Sequence, residues 1–373
     1  MTIDEHNPDH EFEWVPVVKG TTALLVKRLE PNSQIIYDPS EMKALAETIG
    51  YDVVEIAIQR AKFRSPFGIG KGKVQELKEL IAEKNIDVVI FDDHIDPSRF
   101  YHLEQNLGKT VIDRYHLILQ IFEHHSRDKI SKLQIELARI RYEMPRYAEY
   151  VKRKLTGVEH PGFRSSGVYQ VAAYKRMTTR RITAIKAKLA KIRYERQAQQ
   201  KRRDRMGFNI VSLAGYYNAG KSSLHRALSG SDATVSAKPF TTLATLIRRV
   251  DDQILINDTV GFIDDLPLEF MDAFQSTLEE ISSARLILLV LDAYDPLDKI
   301  SIKYETCQRI LNDLNTTNIV ILVLSKADLI MDDPDKKAVL QKMFINKKHV
   351  FVSNVTLDGV ETLKTMIKTI LFP

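Results

Sequence analysis

The chain has 373 residues, of which 44% are hydrophobic and 28% charged, and at roughly 100 to 200 residues per domain this length predicts two or three globular domains. Its longest apolar runs, residues 286–291 and 319–324, are far shorter than the roughly 20 residues that cross a bilayer, so we expect no membrane span. The first fifteen residues are acidic and lack the basic start of a targeting signal, and a single cysteine, Cys307, excludes a disulfide scaffold. We therefore expect a cytoplasmic protein.

Residues 22 to about 125 alternate short β-rich runs with helical stretches, which is the pattern of a parallel α/β domain. The predicted strands cover residues 22–27, 52–58, 86–91 and 110–112, and the predicted helices cover 40–48, 73–83 and 97–106. We predict a small parallel sheet with helices around it as a first domain, residues 1–125. A glycine-rich loop at residues 65–73 could meet a phosphate through its amides, but without a fuller motif we favour a plain mobile loop.

From residue 126 the pattern changes to two apolar seams of heptad type. The seams consist of Ile130, Leu133, Leu137, Ile140 and Met144, and of Ile182, Ile185, Leu189 and Ile192. Two such helices can bury their seams against each other, so we predict an antiparallel helical hairpin with a loose, polar tip around residues 157–167. Residues 197–205 carry no seam and are interpreted as a linker, which gives a second domain of residues 126–206 and a third of 207–373.

Positive charge is concentrated in the second of these helices. Residues 174–206 contain thirteen Lys or Arg against two acidic residues, a local charge of +11, so the remaining 340 residues sum to −6. A charge run is often a solvated helix face, but this many uncompensated charges over one helix would repel each other unless a polyanion lay nearby. We predict RNA contact through four outward side chains: Arg180, Arg181, Lys188 and Lys191.

The third domain opens with a phosphate-binding motif. An apolar, strand-like run at residues 208–214 leads into Gly215-Tyr-Tyr-Asn-Ala-Gly-Lys-Ser222 and then a helical run at 223–228, which matches the P-loop in the context that it requires. The glycines let backbone amides point at phosphates, Lys221 neutralises β and γ charge, and Ser222 offers a hydroxyl to magnesium. An incidental glycine loop would not have strand, loop and helix in this order.

Three later strand ends indicate which nucleotide binds. The strand at residues 254–256 ends in Asp258-Thr-Val-Gly261, where the carboxylate can hold magnesium through water and the Gly261 amide can sense the γ-phosphate. The strand at 319–324 ends in Ser325-Lys-Ala-Asp328, and residues 350–352 are followed by Ser353 and Asn354. The Asp328 carboxylate can accept two hydrogen bonds from guanine, whereas adenine would leave it buried and unpaired. Asp258 as a strand-end cap, and Lys326 with Asp328 as a surface ion pair, are the structural alternatives.

With these motifs the sequence resembles the HflX family of translation-linked P-loop GTPases over most of its length. The resemblance also rests on the helix at residues 132–138 followed by Met144-Pro-Arg146, on Asp258-Thr-Val-Gly-Phe-Ile, and on Gly68-Ile-Gly-Lys-Gly-Lys. It implies an α/β fold with a GTPase domain of mostly parallel sheet, and a magnesium-dependent enzyme that hydrolyses GTP to GDP. It also implies binding to the ribosome, chiefly the large subunit and its rRNA, with switch regions tied to that contact.

The resemblance extends the site to the first switch, Phe240-Thr-Thr, where Thr242 aligns with the magnesium-binding threonine and Thr241 beside it could compete. Ser325 stands where the family usually has Asn, and Asn354 where it usually has Ala, while residues 164–170 only partly match the family's hairpin tip. The predicted nucleotide contacts are Gly215, Tyr216, Tyr217, Asn218, Ala219, Gly220, Lys221, Ser222, Ser223, Phe240, Thr241, Thr242, Asp258, Thr259, Val260, Gly261, Ser325, Lys326, Asp328, Ser353 and Asn354. The predicted magnesium ligands are Ser222, Thr242 and Asp258.

Catalysis is predicted to involve Lys221, Gly261 and Asn218. Phe262 occupies the place where Ras-like enzymes keep the glutamine that orients water, so we expect slow hydrolysis without a partner. Asn218 resembles the asparagine with which some related GTPases hold potassium, and the ribosome is the other source of the missing group. We expect a GTP-driven switch that functions as a monomer; an RNA-remodelling ATPase and a ribosome-bound scaffold with structural nucleotide are the alternatives.

Overall fold

The computed structural model of the protein describes residues 18–32, 37–62, 66–126, 129–156, 163–230, 246–259, 261–262, 280–314, 316 and 318–372. The chain divides into two compact units. The first unit combines residues 1–124 with 135–185, and the second combines 125–134 with 186–373. Among the described residues, every helix is either too short or too polar to span a lipid bilayer.

The first unit contains the predicted parallel sheet. Its strands are β1 (Thr21–Leu29), β2 (Tyr51–Arg60), β3 (Val88–Phe91) and β4 (Thr110–Asp113), in the order β2-β1-β3-β4. Every adjacent pair is parallel, and the four residues of β3 are buried on both faces. This confirms an α/β architecture, because strands covered on both faces read as continuous apolar runs.

Four helices accompany the sheet: α1 (Ser40–Ile49), α2 (Lys71–Glu83), α3 (Pro97–Leu107) and α4 (Arg114–His125). Asp96 caps the start of α3, since its side chain accepts a hydrogen bond from the Arg99 amide. In the glycine-rich loop the Gly70 N–H donates to Gln59 Oε1 at 2.8 Å, and Ile69 is buried. This amide is therefore already bonded within the domain, and Lys71 begins α2.

Two long helices, α5 (Lys129–Thr156) and α6 (Phe163–Arg205), follow. They run antiparallel, because Tyr147 stacks on Tyr174 with 3.9 Å between ring centroids and Arg181 pairs with Glu136, which lies earlier in α5. One expectation was wrong here. The predicted linker at residues 197–205 is the last part of α6, so charge repulsion and the missing seam do not end that helix. Pro145 lies inside α5.

The first unit buries an ionisable cluster where β4, α4 and α5 meet. Asp113 is fully buried and accepts hydrogen bonds from the backbone N–H of His116 at 2.9 Å and from the Tyr142 hydroxyl at 2.7 Å. Arg146 Nη1 lies 3.3 Å from His116 Nδ1. Burial, reinforced by the nearby Arg146 charge, lowers the pKa of His116 from 6.5 to about 3, so the folded protein keeps this imidazole neutral.

We expect the first unit to lose stability as the pH falls below about 6.5. The unfolded chain takes up a proton at His116 there while the folded unit does not, so the free energy of unfolding falls by up to about 1.4 kcal/mol per pH unit. Denaturant unfolding of His116→Gln at pH 7 and pH 5 should show a smaller change between the two pH values than wild type. His124→Gln, which alters an exposed histidine of the same helix, is the control; an unaltered pH dependence in His116→Gln would contradict this assignment.

The second unit contains a six-stranded sheet of β5 (Asn209–Gly215), β6 (Leu246–Asp251), β7 (Ile254–Asp258), β8 (Leu286–Asp292), β9 (Ile319–Ser325) and β10 (His349–Phe351). The order is β10-β9-β8-β5-β7-β6. Only β6 among these strands is antiparallel to its neighbour. The helices are α7 (Lys221–Ser229), α8 (Leu297–Asp313), α9 (Pro334–Met343) and α10 (Val360–Leu371). Because β5 lies between β7 and β8, its carboxyl end is at the point where strand order reverses, the usual ligand crevice of such sheets.

Candidate nucleotide site

The P-loop connects β5 to α7 through three residues with positive φ. These are Gly215 (φ 144°), Asn218 (φ 58°) and Gly220 (φ 89°). A Cβ on Gly215 would lie 2.2 Å from the carbonyl oxygen of Val290 on β8, so only glycine fits this approach. Asn is among the few other residue types that tolerate a left-handed backbone, and the loop therefore turns as the motif predicts.

Lys221, the first residue of α7, has its amine inside this turn. Its Nζ lies 3.1 Å from the carbonyl oxygen of Gly215 and 2.8 Å from that of Tyr216, and the side chain is buried. Desolvation lowers the pKa of Lys221 to about 8, partly opposed by the charge of Asp258. The site thus has a buried cation and a helix N-terminus in the same place, and both attract phosphate.

The end of β7 lies against the P-loop. Asp258 and Thr259 are buried, and the Thr259 hydroxyl donates to the carbonyl oxygen of Leu213 on β5 at 2.5 Å. A Cβ on Gly261 would lie 2.7 Å from Cα of Tyr217 and 2.9 Å from Lys221 Nζ. A glycine is therefore required for the backbone at Gly261 to reach the P-loop, as expected for an amide that senses phosphate.

Phe262 joins the same region through its backbone and not through its ring. Its N–H donates to the carbonyl oxygen of Gly215 at 3.0 Å, and its own carbonyl oxygen accepts from the Tyr217 N–H at 2.9 Å. The ring is 2% exposed and belongs to the apolar cluster that includes Ala214 and Ile281. The side chain that replaces the usual glutamine is thus part of the core and has no group that orients water.

The predicted base-contacting residues follow β9 and β10. Ser325 Oγ lies 2.6 Å from the carbonyl oxygen of Ala219 in the P-loop, so this short side chain still joins the two loops. Asn354 Nδ2 lies 3.4 Å from the carbonyl oxygen of Gly220. Asp328 is half-buried at the start of a short 3₁₀ helix, Ala327–Ile330. Within the part of the chain that the structure describes, no hydrogen bond or ion pair involves its carboxylate, which leaves it available to a base.

Sequence reasoning did not identify Asp292, the last residue of β8. Its Oδ2 lies 2.5 Å from Lys326 Nζ, and its Oδ1 accepts from the Tyr294 N–H at 2.9 Å. Lys326 itself has a left-handed φ of 54°. The pair expected as an alternative, Lys326 with Asp328, is therefore not formed. Asp292 could have been found in the way that Asp258 was found, because both are acidic residues at the end of an apolar strand.

The donor atoms present fit magnesium. Ser222 supplies a hydroxyl in the first turn of α7, and Asp258 supplies a buried carboxylate; such oxygen ligands, completed by water and phosphate oxygens, are what magnesium prefers. The predicted residues Phe240, Thr241, Thr242 and Val260 lie outside the described residues. Tyr216 is buried, while Asn218 is exposed at the rim of the loop.

The predicted RNA-contacting residues all lie on α6. Arg180, Lys188 and Lys191 are exposed, and no ion pair involves them among the described residues. Arg181 differs from this expectation, because its Nε lies 2.5 Å from Glu136 Oε1. Since Glu136 partly neutralises Arg181, the positive face rests mainly on the other three side chains.

Comparison with known sequence families assigns most of the chain. Residues 37–123 match the family described as "GTP-binding GTPase N-terminal", residues 125–203 match "GTP-binding GTPase Middle Region", and residues 210–326 match "50S ribosome-binding GTPase". The three segments follow one another and together include strands β2 to β4 of the first sheet, most of the two long helices, and the P-loop sheet from β5 to β9.

Individual relatives cover nearly the same length. The chain is 39% identical over 332 residues to the GTPase HflX of Methanocaldococcus jannaschii, covering 88% of this chain and 81% of the relative. It is 39% identical over 303 residues to the GTPase HflX of Thermococcus kodakarensis, covering 80% and 68%. Among solved structures, the crystal structure of SsGBP with GDP shares the fold, with a TM-score of 0.53 and 24% identity over 94% of this chain and 98% of that one.

Proposed function

This chain belongs to the HflX family of GTPases, and from that premise we propose that it is a nucleotide-controlled switch that binds the large ribosomal subunit through rRNA. It is a GTP-hydrolysing enzyme with a P-loop GTPase domain. Membership in this family favours GTP turnover over an RNA-remodelling ATPase and over a scaffold with structural nucleotide. We place the protein in the cytoplasm, with residues 1–125, 126–206 and 207–373 as its functional parts.

The chemistry proposed for the P-loop follows from the geometry of its residues. The Lys221 ammonium, now held by two loop carbonyl oxygens, neutralises the β- and γ-phosphates when these replace part of that contact. Gly261 lies beside this amine, since a Cβ there would be 2.9 Å from Lys221 Nζ, and its amide is our candidate for the group that reports whether a γ-phosphate is present. Magnesium, held by Ser222, Asp258 and Thr242, would neutralise the phosphate charge that develops on hydrolysis. Asn218, exposed at the rim, is our candidate for holding potassium.

The observation that supports a ribosomal RNA partner is the exposed basic face of α6. Arg180, Lys188 and Lys191 lie at the surface of a helix whose sequence from residue 174 to 206 carries a net charge of +11. The phosphate backbone of a nucleic acid is the partner that compensates such a charge, because each phosphate that the protein neutralises releases condensed counterions. The "50S ribosome-binding GTPase" family match at residues 210–326 agrees with a ribosomal source for that RNA.

We expect the triple variant Arg180→Ala, Lys188→Ala, Lys191→Ala to bind large ribosomal subunits more weakly and with a flatter salt dependence. Each lost phosphate contact lowers the slope of log K against log salt by about 0.7 to 0.9, so three lower it by about 2 to 3. Adding Arg181→Ala should change little more, because Arg181 is already paired with Glu136. Sedimentation with subunits over a series of salt concentrations measures both quantities.

The matched control removes three exposed lysines of the second unit: Lys342, Lys347 and Lys348. This control has the same change of net charge, so it should keep the wild-type slope if α6 is the contact surface. Nucleotide affinity should be unchanged in both variants. An equal loss of subunit binding in the two variants would show that only net charge matters. An unchanged salt slope in the α6 variant would show that the helix is a solvated spacer.

A further inference from the structure

Side chains from two later strand ends contact consecutive carbonyl groups of the P-loop. Ser325, the last residue of β9, has its Oγ 2.6 Å from the carbonyl oxygen of Ala219, which lies 106 positions earlier in the chain. Asn354, just after β10, has its Nδ2 3.4 Å from the carbonyl oxygen of Gly220, 134 positions earlier. The loops after β9 and β10, which we call the base-side loops, therefore meet the P-loop along one short stretch of backbone.

The two side chains lie beside each other at this stretch. A Cβ placed on Gly220 would be 3.3 Å from Asn354 Nδ2, 3.5 Å from Ser325 Oγ and 3.7 Å from Ser325 Cβ. A longer side chain at position 325 would therefore enter the volume that the Asn354 amide now fills. The two departures from the family pattern, Ser325 for Asn and Asn354 for Ala, are thus complementary in space.

The loop that carries Asn354 is fixed by its own hydrogen bonds. The buried Ser353 accepts at its Oγ from the N–H of Val355 at 3.2 Å and of Thr356 at 3.0 Å, and its N–H donates to the carbonyl oxygen of Asp358 at 3.0 Å. Asn354 Oδ1 is buried and has no hydrogen-bond partner in the part of the chain that the structure describes. An alanine would leave no such atom unsatisfied, so the amide is kept at a cost that its Nδ2 contact must offset.

Contacts at these carbonyl groups orient the amides that bind phosphate. In a trans peptide the C=O of one residue and the N–H of the next point in opposite directions, and the described residues contain no cis peptide. Because the carbonyl oxygens of Ala219 and Gly220 point toward the base-side loops, the N–H groups of Gly220 and Lys221 point the other way. Lys221 opens α7, and the first N–H groups of a helix lack an intrahelical acceptor and bind anions.

We propose that Ser325 and Asn354 are positioning residues that together orient the P-loop amides toward the β-phosphate of the nucleotide. The inference deepens the proposed function and rests on it, since it takes the P-loop as the phosphate site. Asn354 supplies a side-chain amide next to position 325, where the family usually has one, and Ser325 is short enough to leave it room. Neither side chain has to touch the base, so the effect falls on phosphate binding and not on base preference.

The test is competition of GDP and of GMP against a fluorescent guanine nucleotide. The two ligands share the base and the α-phosphate, and only GDP has the β-phosphate. We expect Asn354→Ala and Ser325→Ala each to lower the affinity for GDP by about fivefold, the equivalent of one net hydrogen bond, and to leave the affinity for GMP nearly unchanged. A role in contacting the base would lower both affinities alike.

Exchange of the two side chains provides the rescue. Ser325→Asn alone should also weaken GDP binding, because the longer side chain overlaps the Asn354 amide and overpacking is destabilising. Combined with Asn354→Ala, it should restore the wild-type ratio of GDP to GMP affinity, because an amide from position 325 then fills the vacated space. Asn312→Ala, the same substitution at an exposed position of α8, is the matched control and should change neither affinity.

Equal losses for GDP and GMP, or an unchanged GDP affinity in both alanine variants, would overturn the inference. If a single variant does not fold, the exchanged pair decides, because a persistent loss of GDP affinity there contradicts the shared role. Failure of the proposed function itself would look different, since the wild-type protein would then bind GMP as tightly as GDP.

Discussion

Replacement of Asp328 by asparagine is expected to lower the affinity for GTP by about 100-fold and to raise the affinity for xanthosine triphosphate. The carboxylate lies half-buried at the start of the 3₁₀ helix after β9, where it can accept from guanine N1 and from the exocyclic amine. The asparagine amide would place its N–H donors against the N–H donors of guanine, and the charge-assisted hydrogen bonds to the carboxylate would be lost. This loss costs about 2.7 kcal/mol of binding free energy, the equivalent of 100-fold in affinity. Xanthine has an oxygen in place of that amine and accepts instead.

Competition of GTP, xanthosine triphosphate and ATP against a fluorescent guanine nucleotide measures this exchange of preference. Asp332→Asn, a substitution of the same type at an exposed carboxylate four residues later, should leave all three affinities unchanged. The P-loop is intact in both variants, so total loss of binding to every nucleotide would indicate misfolding. Equal GTP affinity in wild type and Asp328→Asn would contradict the assignment of Asp328 to the base.

A second large effect is expected on the rate of hydrolysis. Because Phe262 lies in the apolar core, nothing at that position orients water, and the protein alone in sodium should turn over at about 10⁻⁴ to 10⁻³ per second, like unassisted Ras-type enzymes. A group that completes the site in the way an arginine finger does accelerates such enzymes by about 10³- to 10⁵-fold. We expect potassium at Asn218, large ribosomal subunits, or both, to supply a gain of this order.

The left-handed backbone at Asn218 (φ 58°) decides how this residue is tested. Asn218→Ala removes the amide but also strains the loop, whereas Asn218→Gly removes the amide and keeps the conformation without strain. Single-turnover hydrolysis is measured in potassium and in sodium, with and without subunits, for wild type and both variants. Potassium-specific acceleration that is lost equally in both variants assigns the ion to the Asn218 side chain.

The other outcomes of this experiment are equally distinct. Loss only in Asn218→Ala would show that loop conformation, and not the amide, is what matters. Acceleration by subunits in either salt, unaffected by Asn218→Gly, would assign the missing contribution to the ribosome. Fast hydrolysis by the isolated wild-type protein in sodium would contradict the argument drawn from Phe262.

The phosphate-binding half of the site could be predicted because its determinants are local. An apolar strand, glycines at fixed offsets, a lysine and a helix follow one another within residues 208–228, and the structure places them as β5, the P-loop and α7. The four strands of the first sheet were likewise found from buried apolar runs. Prediction failed where the pattern was not periodic: α4 is buried along most of its length, so no polar face marked it as a helix.

Helix ends were also beyond local reasoning. Helix α5 continues through Pro145, and residues 197–205 remain helical although no apolar seam marks them. Near its end, α6 is held by Arg196 against Glu280, a residue 84 positions away in the chain. A contact with that separation leaves no signature in either segment, because it depends on how strands and helices pack, and not on the order of neighbouring residues.

The α/β class, the P-loop with Lys221 and Ser222, and the strand-end positions of Asp258 and Asp328 could be read from residue type and spacing along single strand-to-loop junctions. Which of these groups become neighbours could not be read in this way, because it depends on the folded arrangement. It paired Lys326 with Asp292, placed the Phe262 ring in the core and joined Arg196, Asn257 and Glu280. The physical reason is strand register: side chains at the ends of parallel strands become neighbours only when the strands align, and that alignment is set by the packing of the whole sheet.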